Sequence, residues 1–321
     1  MASIAPIKIS FVIPCYSSES TISEVVERLS QTVEKQFSRK EYEIILVDDC
    51  SPDNTFETLC KLSEKFSNVK VIGFAKNFGQ QAAILAGFNS ACGSLVACLD
   101  DDGQTRPEDF FKLLDKLNEG YDLVYAQYPK YENSRFRKFG SSVNDMMANM
   151  LLGKPKNLTL SSYFICKRFL VESAKNYKNP YPYLSGQMLA STSSIANVEV
   201  EHASRLSGTS GYTIRKLLSL WLNGFTAFSI TPLRISSALG FVFACLGLIA
   251  SLVVFFNRII NPEVPIGWSS TACLILVLGG LVLFSLGLIG EYLGRVYISI
   301  NSVPQYVIKH VVDKNEGVNN S

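Results

Sequence analysis

The sequence predicts an α/β protein: a domain with a mostly parallel sheet, then an amphipathic interface helix and two transmembrane helices. Three observations carry this. Apolar, strand-like runs alternate with helix-like segments from Lys8 to Gln127. Two of those runs end in carboxylates, at Asp48-Asp49 and at Asp100-Asp101-Asp102. Near the end, Ile235–Phe256 and Gly267–Gly290 are 22 and 24 residues without a charge, each enough to cross a hydrocarbon core of about 30 Å.

Lys8–Pro14 (KISFVIP) reads as a buried strand and Ser20–Phe37 as an amphipathic helix. Glu43–Asp49 is a second strand; Ser51-Pro52-Asp53 is a turn and helix cap, with a helix to about Phe66. Val69–Phe74 is a third strand and Gln80–Ala91 a helix of small residues. Ser94–Leu99 is a fourth strand by length and apolar content. Pro107 starts a helix with Glu108 and Asp109 in its first turn, and Asp122–Gln127 is a fifth strand. Such alternation implies parallel strands joined by right-handed crossovers. Tyr212–Phe228 reads as an amphipathic helix suited to a membrane interface, or else as a core helix. The resulting division is 1–211 for the α/β domain, 212–234 for the juxtamembrane helix, 235–290 for the two spans and 291–321 for a tail.

A net charge of +2 with no Lys/Arg block gives no basis for nucleic-acid binding. The eight cysteines form no C-x-x-C pair, which argues against a disulfide framework or zinc site and suits a reducing compartment. Met1–Lys8 has no apolar stretch behind a basic start, so no signal peptide is expected. Between the spans, Asn257–Ile266 holds one Arg and one Glu, whereas Arg215, Lys216, Arg234, Arg295 and Lys309 flank the other ends. The positive-inside tendency therefore puts residues 1–234 and the tail in the cytoplasm. Trp268 is placed like an interface anchor.

Leu99-Asp-Asp-Asp-Gly-Gln104 is the chemical centre. Carboxylates at the C-terminal end of a strand lie at the rim where open α/β sheets bind ligands. Alternation along an extended chain sends Asp100, Asp102 and Gln104 to one side and Asp101 to the other. Two carboxylates and an amide oxygen are hard donors of the kind Mg²⁺ or Mn²⁺ takes, alongside water and substrate phosphates. A solvated acidic turn is the alternative for this triplet, and helix or turn capping is the alternative for Asp48 and Asp49. Neither a G-x-G-x-x-G nor a G-x-x-x-x-G-K-[ST] sequence occurs, so a diphosphate would be neutralised by a metal rather than a Gly-rich loop.

Val12-Ile-Pro-Cys-Tyr16, Ile45–Thr55, Lys76-Asn-Phe-Gly-Gln80, Asp100–Gln104, His202–Tyr212 and Thr231-Pro-Leu-Arg234 together resemble family 2 glycosyltransferases of the GT-A fold. Gly290–Tyr297 and Pro304-Gln-Tyr-Val307 extend the resemblance to polyprenyl-phosphate glycosyltransferases with two C-terminal spans. Within that group the chain is similar to bactoprenol glucosyltransferases, dolichol-phosphate mannose synthases and the undecaprenyl-phosphate formamido-arabinose transferase.

The resemblance implies roles, position by position. Pro14, Tyr16 and Asp49 match positions that hold the base and ribose, with Asp100, Asp101, Arg205 and Ser210 completing the nucleotide site. Asp100, Asp102 and Gln104 match the metal and diphosphate positions, and Asp100, Asp102 and Arg205 are the catalytic candidates. Arg205, Gly208 and Ser210 match a segment that closes over the diphosphate. Arg137 and Ser141 match positions near the lipid phosphate. The chain departs from its relatives at Ser17-Ser18, where they show Asn-Glu (Glu19 lies one place later). It also has Lys130 for an arginine near Tyr128, and Ser161-Ser162 for an aspartate about six residues before Arg168. The implied donor is a nucleotide sugar, UDP-linked in preference to GDP-linked. The implied setting is a bacterial inner membrane, with self-association through the membrane part.

A phosphate monoester acceptor carries about −1.5 to −2 charge near neutral pH and needs no strong base, which suits a chain with two histidines, His202 and His310. His202, beside Glu199 and Glu201, could orient a substrate oxygen or be structural. Arg135, Arg137 and Lys138 are candidates for the acceptor phosphate, or else a solvated basic helix face. Direct displacement at the anomeric carbon inverts configuration. Two other functions fit less well: a processive polysaccharide synthase, whose Q-x-x-R-W sequence is missing, and a catalytically silent membrane partner of a flippase or glycosyltransferase.

Overall fold

A computed structural model of the chain describes residues 7–128, 158–177, 182, 184–201, 236, 238–242, 249, 252, 256, 260, 267–300, 304–314 and 317–320, with the backbone alone for part of 268–300 and for 317–320. The chain divides into two compact units, Met1–Gly211 with Ser302–Ser321, and Tyr212–Asn301.

In the first unit the expected alternation forms as β1 (Ile9–Cys15), α1 (Ile22–Val33), β2 (Tyr42–Asp48), α2 (Thr55–Lys65), β3 (Val69–Phe74), α3 (Gln80–Ser90), β4 (Leu95–Cys98), a 3₁₀ turn (Pro107–Asp109), α4 (Phe110–Asn118) and β5 (Leu123–Gln127). Helix α1, expected to reach about Phe37, stops at Val33, the last buried position of its apolar face. The sequence pattern did not predict β6 (Phe164–Lys167), α5 (Arg168–Lys175), α6 (Leu184–Ser191) or β7 (Ile195–Glu199). Nor did it predict that the tail forms β8 (Ile308–Asp313) and β9 (Gly317–Asn320).

The nine strands make one sheet in the order β7-β5-β6-β4-β1-β2-β3-β8-β9. Strands β4, β1, β2 and β3 are mutually parallel. Strand β6 runs antiparallel to β4 and β5, and β8 antiparallel to β3. The sheet is thus mostly parallel in strand direction, and the tail, expected as a separate segment, extends one edge.

Alternation along β1 explains its nearly continuous apolar sequence. Ile9, Phe11, Ile13 and Cys15 face a core shared with α1, α2 and α4, while Val12 faces a second core built on α3 and α5. On α1, Ile22, Val25, Val26, Leu29 and Val33 are buried at helical spacing. Truncating one such side chain, as in Leu29→Ala, costs about 2–5 kcal/mol. Helix α3 lies close on the sheet because it is small: a Cβ at Gly87 would stand 2.2 Å from Val12 Cγ1.

The second unit contains α7 (Trp268–Ile300). Among the described residues no helix is long and apolar enough to cross a membrane. The α7 backbone nevertheless runs unbroken for 33 residues, and part of its side chains lie outside the described set. Of those described, Ile275 and Leu283 are 65% and 71% exposed. Ser236 Oγ and Ser285 Oγ lie 2.8 Å apart, linking the two apolar segments by a hydrogen bond. The rest of Ile235–Phe256 lies largely outside the described residues, as does all of Tyr212–Phe228.

Candidate active site

Strands β4, β1 and β2 are neighbours and parallel, so their C-terminal ends meet at one rim. This brings together Tyr16, Asp48-Asp49 and Asp100–Asp102, which are far apart in sequence. The contact is direct: the Tyr16 N–H donates to Asp101 Oδ2 at 2.9 Å, and Thr21 Oγ1 donates to the Asp101 carbonyl at 2.7 Å. Pro14 fits inside this central sheet for a geometric reason. It shares the orientation of Val12, whose carbonyl accepts from Leu99 at the end of β4, and lies beyond the last β4 pair. Its missing N–H therefore forfeits no ladder bond.

The rim is built from tight turns. Ser17 and Cys50 follow β1 and β2 with φ of 54° and 55°, the left-handed region that costs a residue with a Cβ about 1–2 kcal/mol. Ser17 is steadied by its N–H, which donates to Ser51 Oγ at 3.1 Å. Tyr16, 52% exposed, presents its ring at this rim. Glu19 accepts from Asn54 N and Nδ2 at 3.3 and 3.2 Å.

The acidic segment itself is a turn, which corrects the expected strand alternation. Strand β4 stops at Cys98, and Gly103 has φ of 74°. Asp100 and Asp101 still diverge, because each meets different donors. Asp100 Oδ1 accepts from Gln80 Nε2 at 3.0 Å, and Oδ2 from the Ser162 hydroxyl. Asp102 Oδ1 accepts from the Gln104 N–H at 3.0 Å. Burial raises the Asp100 carboxyl above its usual range; the Ser162 hydrogen bond opposes this and the Asp102 charge adds to it. Burial pushes Asp101 up to about 6, against the Tyr16 N–H. Arg28 grips Glu108 through two 2.9 Å hydrogen bonds and so ties α1 to the turn that follows the acidic segment.

Asp48 and Asp49 are buried and spoken for, which is the capping role weighed against ligand contact. Asp48 accepts from the Ser51 N–H and hydroxyl. Asp49 Oδ1 and Oδ2 accept from the Phe78 and Gly79 N–H groups at 2.6 and 2.8 Å. Burial raises both carboxyls, with these hydrogen bonds opposing the rise. Asp49 therefore anchors the loop between β3 and α3, and a ribose contact would use its remaining lone pairs. Gln80 and Ser162, to which the sequence motifs assign no role, are the side chains that hold Asp100.

Arg205, Gly208, Ser210, His202, Arg135, Arg137, Lys138, Ser141 and Lys130 lie outside the described residues. Among the described residues no group of three or more His, Cys, Asp or Glu could hold a metal ion. The donor set that remains, Asp100, Asp102 and Gln104, is hard and oxygen-rich. It fits an ion that takes one or two carboxylates and completes its shell with phosphate and water.

Residues 10–177 match the family model Glycosyl transferase family 2, and residues 231–296 match the GtrB C-terminal hairpin. An uncharacterized glycosyltransferase, YkcC, of Bacillus subtilis (strain 168) is 31% identical, covering 98% of this chain and 96% of its own. An undecaprenyl-phosphate 4-deoxy-4-formamido-L-arabinose transferase of Serratia proteamaculans (strain 568) is 35% identical, covering 97% and 96%. Glucosyl-3-phosphoglycerate synthase from Mycobacterium tuberculosis, crystallised with Mn²⁺, UDP and phosphoglyceric acid, shares the fold with a TM-score of 0.52 at 20% identity, over 68% of this chain and 76% of that one. A full-length match to such relatives, on a sheet whose acidic strand ends converge at one rim, makes this chain a member of glycosyl transferase family 2.

Proposed function

We propose that the protein transfers a sugar, with inversion, from a nucleotide sugar to polyprenyl phosphate at the cytoplasmic membrane face. The observation that carries this is the shared rim of β4, β1 and β2, where Tyr16, Asp49 and Asp100–Gln104 converge. Near full-length similarity to undecaprenyl-phosphate formamido-arabinose transferases supports the lipid-phosphate acceptor. A fold shared with a synthase crystallised with UDP and Mn²⁺ is consistent with a UDP-linked donor.

Pro14, Tyr16 and Asp49 would bound the base and ribose. Asp102 and Gln104, with Asp100 behind them, would hold Mg²⁺ or Mn²⁺, which supplies charge neutralisation to the departing diphosphate. Arg205 and Ser210 would close over that diphosphate, and Arg135, Arg137, Lys138 and Ser141 would receive the acceptor phosphate. An acceptor that arrives ionised removes the need for a side-chain base, in keeping with a serine at position 162. Residues 235–256 and 267–290 would cross the bilayer with both termini cytoplasmic. The apolar exposure of α7 supports this, since large exposed apolar faces mark contact with lipid or another protein.

The test uses purified protein in detergent with undecaprenyl phosphate, Mg²⁺ and a panel of UDP- and GDP-sugars, with lipid products detected by mass spectrometry. A glycosylated lipid phosphate from one donor, lost in Asp102→Ala and in EDTA, is the expected result. No lipid product from any donor overturns the reading.

A further inference from the structure

We infer that the tail segment Pro304–Val307 is a built-in part of the donor site, with Tyr306 as the positioning residue for the loop between β3 and α3. This rests on the donor-site reading of the β4-β1-β2 rim.

That loop, residues 75–79, leads into Gln80 and supplies the contacts that orient both acidic strand ends. Its Phe78 and Gly79 N–H groups hold the Asp49 carboxylate, and Gln80 holds Asp100. The loop's other side rests on the tail. The β3–β8 ladder shifts register between Gly73 and Phe74, so regular pairing ends just where the loop begins. Beyond that point the Ala75 N–H donates to the Val307 carbonyl at 2.9 Å. The Tyr306 ring stacks on Phe74 at 5.3 Å and 10° between planes, and Phe74 meets Phe78 edge-on at 5.7 Å.

Three rings in series therefore join the tail to the residue whose N–H binds Asp49. Tyr306 is itself held from two directions. Its hydroxyl accepts from Asn89 Nδ2 of α3 at 2.7 Å, and the neighbouring Gln305 donates to the Tyr177 carbonyl at 2.8 Å. Tyr306 thus acts on the site through Phe74 and Phe78 and touches no reacting atom.

The test compares full-length wild type with Tyr306→Ala and Tyr306→Phe in detergent. It measures amide exchange and, by calorimetry, the affinity for UDP with Mn²⁺. Removing an aromatic pair is expected to speed exchange at Phe78 and Gly79 about tenfold and weaken UDP binding about tenfold, with the β1 amides unchanged. Tyr306→Phe keeps the stacked ring and is expected to restore both readouts. Asp313→Asn breaks the 3.3 Å ion pair with Lys70 at the far end of β8, and is expected to leave UDP affinity unchanged. Unaltered exchange at Phe78 and Gly79 in Tyr306→Ala overturns the inference, as does an equal loss of UDP affinity in Asp313→Asn. A wild type that binds no UDP, while Tyr306→Ala still speeds exchange at Phe78, overturns the donor reading instead.

Discussion

Gln80, the first residue of α3, donates its side-chain amide to Asp100 Oδ1 at 3.0 Å, while Ser162 from the loop before β6 donates to the other oxygen. A carboxylate held from two elements is oriented before any ligand arrives, and pre-organisation of this kind lowers the reorganisation needed on binding. Hydrogen bonds to a charged partner contribute about 1.5–3 kcal/mol. Gln80→Ala and Ser162→Ala are each expected to lower kcat/KM for the nucleotide sugar by about 10- to 100-fold. Ser162→Thr, which keeps the hydroxyl, should recover most of the loss in steady-state kinetics.

Asp102 differs from Asp100 in being held by the turn's own backbone, through the Gln104 N–H. Asp102→Asn keeps the size and the acceptor while removing the charge. Turnover is expected to fall about 10²- to 10³-fold with little change in melting temperature. Titration of Mn²⁺ into the EDTA-treated wild type should restore activity, and the same titration should fail to do so in the variant.

Gly87 is a packing requirement, since a Cβ there would meet Val12 Cγ1 at 2.2 Å and Cγ2 at 3.0 Å. Gly87→Ala is expected to destabilise the fold by about 1–3 kcal/mol. Adding Val12→Ala opens the space, so the double variant should be more stable than additivity predicts. Denaturant unfolding of the four proteins in this cycle measures the coupling.

Asp122 joins β5 to β6 and to the turn before β7, through Lys167 Nζ and Thr192 Oγ1, both at 2.8 Å. The Lys167 hydrogen bond holds its carboxyl below the ordinary 3.8. A depressed carboxylate stabilises the fold above its unfolded value, and that contribution is lost as pH falls through the folded one. Asp122→Asn is expected to cost about 1 kcal/mol at pH 7 and less at about pH 3, below the ordinary carboxyl value. Thermal melts of both proteins at the two pH values check the sign.

What could be seen in the sequence was whatever depends on local periodicity. Strands β1 to β5 are apolar runs alternating with helical segments and separated by turn residues, so each element was readable from its own segment. Strands β6 and β7 were not, because each is defined by its pairing with β4 and β5 rather than by a pattern of its own. Strand β8 was hidden for a related reason: its residues alternate weakly, and it becomes a strand only by pairing with β3.

The candidate site divides along the same line. The sequence by itself marked Asp100, Asp102 and Gln104 as candidate ligands, because two carboxylates and an amide oxygen are hard donors. Tertiary structure decided their working arrangement. Asp49 turned out to be a loop anchor, Gln80 and Ser162 became the supports of Asp100, and Tyr306 was set beneath the loop that joins them. Those roles arise from side-chain contacts between segments distant in the chain, and a hydrogen bond leaves no periodic trace in the sequence that makes it.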